Sequence, residues 1–119
     1  MISILAFCLI WEVLFMFYEM RTYTVQPGKL KEYLQNFEAE GLPIISRHAK
    51  LIGWWYTEVG TLNQVVHIWA WESLDERVKR RAALLEDPNW MNRFIAKATP
   101  LLIDQESCIM LPASFSPIR

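Results

Sequence analysis

Four stretches of the chain carry the alternating or β-branched pattern of strands, and helical periodicity or turn residues separate them. Residues 17–26 (FYEMRTYTVQ) are rich in aromatic and β-branched side chains and stop at Pro27-Gly28, which predicts a strand closed by a turn. Over 28–40, Leu30, Leu34 and Phe37 recur at i, i+4 and i+7 with charges between them, the spacing of an amphipathic helix. Gly41 and Pro43 interrupt it, and 43–49 (PIISRHA) restarts as a short helical piece with Pro43 in its first turn. Residues 50–59 (KLIGWWYTEV) and 63–72 (NQVVHIWAWE) read as two strands of a hairpin around Gly60-Thr61, with Asn63 suited to the turn. Ser73 with Glu76 three residues on forms a capping box at a helix start. That helix is predicted to bury Leu74, Val78, Ala82 and Leu85, leaving Lys79-Arg80-Arg81 as a solvated face or, in the alternative, a weak site for an anionic partner. Asp87-Pro88 ends it and caps a second short helix with Trp90, Phe94 and Ala98 on one side. Residues 101–111 (LLIDQESCIML) predict a last strand, and Pro112 and Pro117 bracket an extended tail.

The predicted order is β-α-β-β-α-β. This is an α+β fold, the ferredoxin-like antiparallel sheet with both helices on one face. In the third strand Val65, His67, Trp69 and Trp71 point one way and Val66, Ile68 and Ala70 the other. Neither set is polar, whereas a sheet with one wet face alternates apolar and polar. The chain is too short to supply a second covering layer, so a homodimer with sheets packed face to face is expected. Trp54 and Tyr56 share one face of their strand while Trp55 takes the other, which repeats the two-sided pattern.

The chain has 119 residues, 53% of them hydrophobic, and a net charge of −1. It is long enough for one domain, and the balanced charge gives no basic excess for nucleic acid. Six Trp side chains must find burial in a core, a pocket or an interface. Residues 1–15 (MISILAFCLIWEVLF) are apolar, but the uncharged run ends at Glu12, too soon for a membrane span, and no basic residue precedes Arg21 as a secretory signal would require. They read as an extension outside the core fold, arising from an upstream start, with the domain proper at 16–119. A membrane partner is not expected. Cys8 and Cys108 make no disulfide framework, and the two histidines, His48 and His67, show no zinc spacing, so no metal is expected and the cytoplasm is the default compartment.

Tyr18-Glu19-Met20-Arg21-Thr22-Tyr23, Pro27-Gly28-Lys29 and Gly60-Thr61-Leu62-Asn63-Gln64-Val65-Val66-His67-Ile68-Trp69 resemble the NIPSNAP family. So do Arg80-Arg81-Ala82, Asp87-Pro88-x-Trp90 and Pro112-x-x-Phe115-Ser116-Pro117, in order and at compatible spacing from Met16 to Arg119. The resemblance implies a dimeric α+β barrel of ferredoxin-like subunits and no settled activity. It also implies a start near Met16, from which the leader departs.

The candidate pocket is Arg21, Tyr23, Tyr56, His67 and Trp69, and Arg21 and His67 are the candidates for catalysis. Arg21 lies in a strand whose only other charge is Glu19, on the same face. It reads either as half of a structural ion pair or as a planar clamp for a carboxylate or an enolate-like oxygen. Tyr23 shares its face as a hydrogen-bond donor or a core aromatic. His67 is a satisfied buried imidazole, a general base, or a haem ligand; no cofactor is expected, with haem the one the residue types allow. Trp69 and Trp71 follow His67 as interface core or ligand platform. Three functions fit: a homodimeric module binding a small apolar or aromatic molecule in a Trp-lined pocket, a cofactor-independent monooxygenase or isomerase of the dimeric α+β barrel class, or a structural adaptor. The Asn that some haem-degrading relatives use in the first strand has no counterpart here.

Overall fold

A computed structural model describes residues 16–119; the expectation for residues 1–15 lies outside the described residues. Strand β1 (Phe17–Val25) ends in the predicted turn, where the Lys29 N–H donates to the Gln26 carbonyl at 3.0 Å and Gly28 takes φ +81°, a conformation that needs glycine. Helix α1 (Leu30–Asn36) runs through a wide π-helical turn (Phe37–Gly41) into α2 (Leu42–Ile45). The sequence breakers thus deform the helix without ending it. Pro43 has no N–H to return, and the backbone widens there so that Leu42 N–H reaches back to the Phe37 carbonyl. Gly41 lets the turn approach its neighbours: a Cβ there would lie 2.9 Å from Phe37 and 3.0 Å from Phe94.

Strands β2 (Lys50–Tyr56) and β3 (Gln64–Trp71) form the hairpin, with Asn63 at φ 64° closing it. Helix α3 (Leu74–Glu86) starts at Ser73, whose Oγ accepts from Glu76 N–H at 3.0 Å. The return bond of the box lands one residue early, on the Glu72 N–H. Asp87 then caps the next turn by accepting from Asn89 N–H at 2.9 Å. A π-helical turn (Trp90–Ile95), α4 (Ala96–Ala98) and a 3₁₀ turn (Thr99–Leu101) lead into β4 (Leu102–Met110).

The four strands form one antiparallel sheet in the order β2-β3-β1-β4, the ferredoxin-like arrangement predicted from the element order. Helices cover one face. There Trp69 and Trp71 pack with Tyr33, Phe37, Trp90 and Phe94 in the main core. The other face carries Met20, Val66, Ile68 and Trp55, and Trp55 is 53% exposed.

Helix α3 departs from its predicted orientation. Leu74, Val78 and Leu85 are exposed, and so is Ala82; the side facing the sheet carries Arg77, Arg81 and Leu84. Arg81 is therefore half-buried, not part of a solvated basic run. The cause is a wholly buried carboxylate on β1, which draws arginine inward against the apolar pattern.

Candidate ligand-binding site

Register brings the candidate residues together. Arg21 lies opposite His67 in the β1–β3 pair and opposite Ser107 in the β1–β4 pair, and Trp54 lies opposite His67 in the β2–β3 pair. Paired positions share a face, so these side chains rise together beneath the helices.

Glu19 is the hub. Its side chain is wholly buried and accepts from Arg77 Nε at 2.8 Å on one oxygen and from Arg77 Nη2 at 2.9 Å on the other. Arg21 Nη1 (2.7 Å), Ser107 Oγ (2.6 Å) and Trp71 Nε1 (3.1 Å) also donate to it. Burial pushes the carboxyl up, but the bonds from Arg77 and Ser107 and the charge of Arg21 outweigh this and hold it far below the usual carboxylate range. Arg21 is accordingly half of an ion pair, and its Nε donates to the Tyr23 hydroxyl at 2.5 Å. Tyr23 accepts from Arg21 rather than donating to it.

His67 is 3% exposed. Its ring stacks on Trp54 with centroids 3.9 Å apart and planes 6° from parallel, and Tyr23 meets it edge-on at 4.8 Å. Trp69 Nε1–H donates to His67 Nδ1 at 2.6 Å. An indole nitrogen only donates, so Nδ1 is bare and the imidazole proton sits on Nε2. Burial, reinforced by the charge of Arg21 against the weaker pull of Glu19, lowers the His67 pKa to about 3. The ring is neutral at any physiological pH. His67 Nε2 and Trp54 Nε1 are both buried without a hydrogen-bond partner.

These groups line a cavity of about 280 Å³ between the sheet and the helices. Arg21, Tyr23, His67 and Trp69 line it; Tyr56 does not, being 54% exposed at the end of β2. The wall opposite the sheet is aromatic, with Tyr33, Phe37, Trp90 and Phe94, while the exposed Leu85 and Met91 line the outer end. Sequence reasoning missed Trp54 as a wall, although it had placed Trp54 on one face with Tyr56. Glu19 stood out in the sequence only as a partner of Arg21, Arg77 carried no signal of its own, and Arg81 was expected on a solvated helix face. Arg81 lines the cavity half-buried, and among the described residues it makes no ion pair.

The NIPSNAP family model matches residues 18–117. The chain is 37% identical to human protein NipSnap homolog 3A over 92 residues, covering 76% of this chain and 37% of that protein, and 34% identical to a NipSnap homolog of Dictyostelium discoideum over 80% of this chain and 42% of that protein. It thus spans little more than a third of the first of these relatives. Among solved structures, a NIPSNAP family protein of unknown function from Agrobacterium tumefaciens superposes with TM-score 0.84 at 45% identity, covering 87% of this chain and 94% of that one. A putative antibiotic biosynthesis monooxygenase from Chloroflexus aurantiacus shares the fold, with TM-score 0.59 at 17% identity, covering 87% of this chain and 99% of that one.

Proposed function

The chain belongs to the NIPSNAP family, and we propose that it is a homodimeric module that binds a small apolar or aromatic molecule in the cavity between its sheet and helices. The observation that carries this reading is the cavity itself, about 280 Å³ and walled largely by tryptophan, tyrosine and phenylalanine. Protein interiors hold few voids larger than a water molecule. Water in this one meets mostly aromatic carbon, and an apolar occupant that displaces such water gains affinity.

The homodimer rests on the helix-free sheet face. Met20, Val66 and Ile68 are half-buried there and Trp55 is largely exposed, an apolar strip that a second copy would cover. Among the described residues no helix is long and apolar enough to cross a membrane, and the unpaired Cys108 suits a cytoplasmic setting.

The enzyme reading is less well supported. A general base needs an accessible acceptor nitrogen with a pKa near neutrality. Here Nδ1 is taken by Trp69 and burial keeps the ring neutral down to about pH 3. Haem ligation through Nε2 meets the same obstacle, since a ligating histidine donates its other ring N–H to an acceptor and Trp69 offers a donor. The test is a titration of intrinsic fluorescence with neutral aromatic probes, indole and naphthalene. Saturable quenching at one site per chain is expected. Linear, non-saturating responses to both would remove the binding reading.

A further inference from the structure

We infer that the occupant of the cavity is an aryl acid, a small carboxylate whose oxygens accept from the buried N–H groups of His67 and Trp54 and whose charge is balanced by Arg81. The inference rests on the binding reading above and specifies its ligand class.

Two independent observations carry it. The first is the pair of orphan donors. A buried N–H without a partner is costly, and native structures rarely keep one outside a functional site. Two stacked rings that line the cavity each carry one such buried N–H, and both are fixed as donors: indole Nε1 has no other state, and the Trp69 bond to Nδ1 forces the His67 proton onto Nε2. Two donors on adjacent rings call for an acceptor with several lone pairs.

The second observation is the charge balance. Arg21, Arg77 and Arg81 face this region against the single carboxylate of Glu19, since Arg80 is occupied at its exposed position by Glu76 at 3.3 Å. Glu19 is saturated by Arg21, Arg77, Ser107 and Trp71 and has nothing left for Arg81. The remaining ionisable groups of the wall do not supply a negative charge: His67 is neutral, and burial holds the Tyr33 hydroxyl in its protonated form. A half-buried guanidinium near other cations is disfavoured: burial first, then the charge of Arg21, lowers the Arg81 pKa against the opposing pull of Glu19. An anionic ligand reverses that cost. The aromatic remainder of the cavity selects a flat, apolar body behind the carboxylate.

The test compares cinnamate with cinnamamide, which has the same shape and no charge, by calorimetric titration of the full chain. Cinnamate is expected to bind about tenfold or more tightly than the amide, the scale of one charge-assisted hydrogen bond. Arg81→Met keeps the side-chain stem, and it should abolish that preference, bringing acid and amide to similar affinity. Arg81→Lys should retain part of the preference, and circular dichroism confirms that both variants are folded. Equal binding of acid and amide, or a preference that survives Arg81→Met, overturns the inference. Saturable binding of indole with no preference for the acid sinks the aryl-acid assignment alone, whereas failure of every probe sinks the binding reading with it.

Discussion

Arg77 reaches from helix α3 across to β1 and grips both carboxylate oxygens of Glu19, 58 residues away in the chain. This bond is why α3 turns arginine toward the sheet. A buried ion that loses its partner is left uncompensated in a poor solvent, at a cost of about 3–5 kcal/mol. Arg77 is partly exposed, so its loss is softened by water. Arg77→Met should therefore lower stability by about 2–3 kcal/mol, and Glu19→Gln, which leaves Arg21 and Arg77 facing each other, by at least as much. Urea denaturation at pH 7.5 measures both. Changes under about 0.5 kcal/mol would mean that the cluster contributes little.

The pH dependence of stability should carry the signature of His67. Its pKa falls from an ordinary 6.5 to about 3 on folding. The folded state resists protonation, so this contribution is complete above pH 6.5 and drains away as pH falls toward 3. Glu19 is also depressed, but its contribution is lost only below the ordinary carboxylate value of 4.5. Between pH 6.5 and 4.5 the slope thus belongs to His67 rather than Glu19. Moving from pH 7.5 to 5 should cost about 2 kcal/mol, and His67→Gln should flatten that slope. A slope unchanged in the variant would show that other groups produce it.

Much of this arrangement is legible in the sequence. The order of strands and helices follows from periodicity and from Pro27-Gly28, Gly60-Thr61 and Ser73-x-x-Glu76. The two faces of β3 follow from alternation alone. That Arg21 and His67 share one cavity does not, because alternation fixes a side chain's face and leaves the strand register open. Helix α3 is the clearest departure. Leu74, Val78, Ala82 and Leu85 form a regular apolar stripe, yet the helix presents Arg77, Arg81 and Leu84 to the sheet. Periodicity weighs only hydrophobic burial, and here a buried carboxylate needing guanidinium partners outweighs it. Tyr56 fails as a pocket residue for a simpler reason: it has the right face but sits at the exposed end of β2, beyond the reach of the helices.

The tautomer of His67 is set by one hydrogen bond. Trp69→Phe removes the indole N–H that holds Nδ1 bare. Nitrogen chemical shifts of the imidazole should show a single Nε2–H tautomer in the native chain and a mixture in the variant. A mixture already present in the native chain would contradict the assignment.

The open sheet face gives a prediction about assembly. Trp55→Lys places a charge on the helix-free face, on the edge strand β2, where Trp55 pairs in register with Val66. Sedimentation of the native chain should show a dimer at micromolar concentration, and the variant should be monomeric while remaining folded. A native monomer would remove the homodimer, and a variant dimer of unchanged affinity would place the interface elsewhere.

The two tryptophans that neighbour each other in sequence offer the most direct test of the central claim, because they face opposite sides of the sheet. Trp54 Nε1–H is buried in the cavity wall; Trp55 lies exposed on the helix-free face. In nitrogen–proton correlation spectra, titration with an aromatic ligand should move the Trp54 indole signal saturably and leave that of Trp55 in place. Movement of Trp55 with Trp54 unperturbed would put the ligand on the wrong side of the sheet, and the cavity would lose its role.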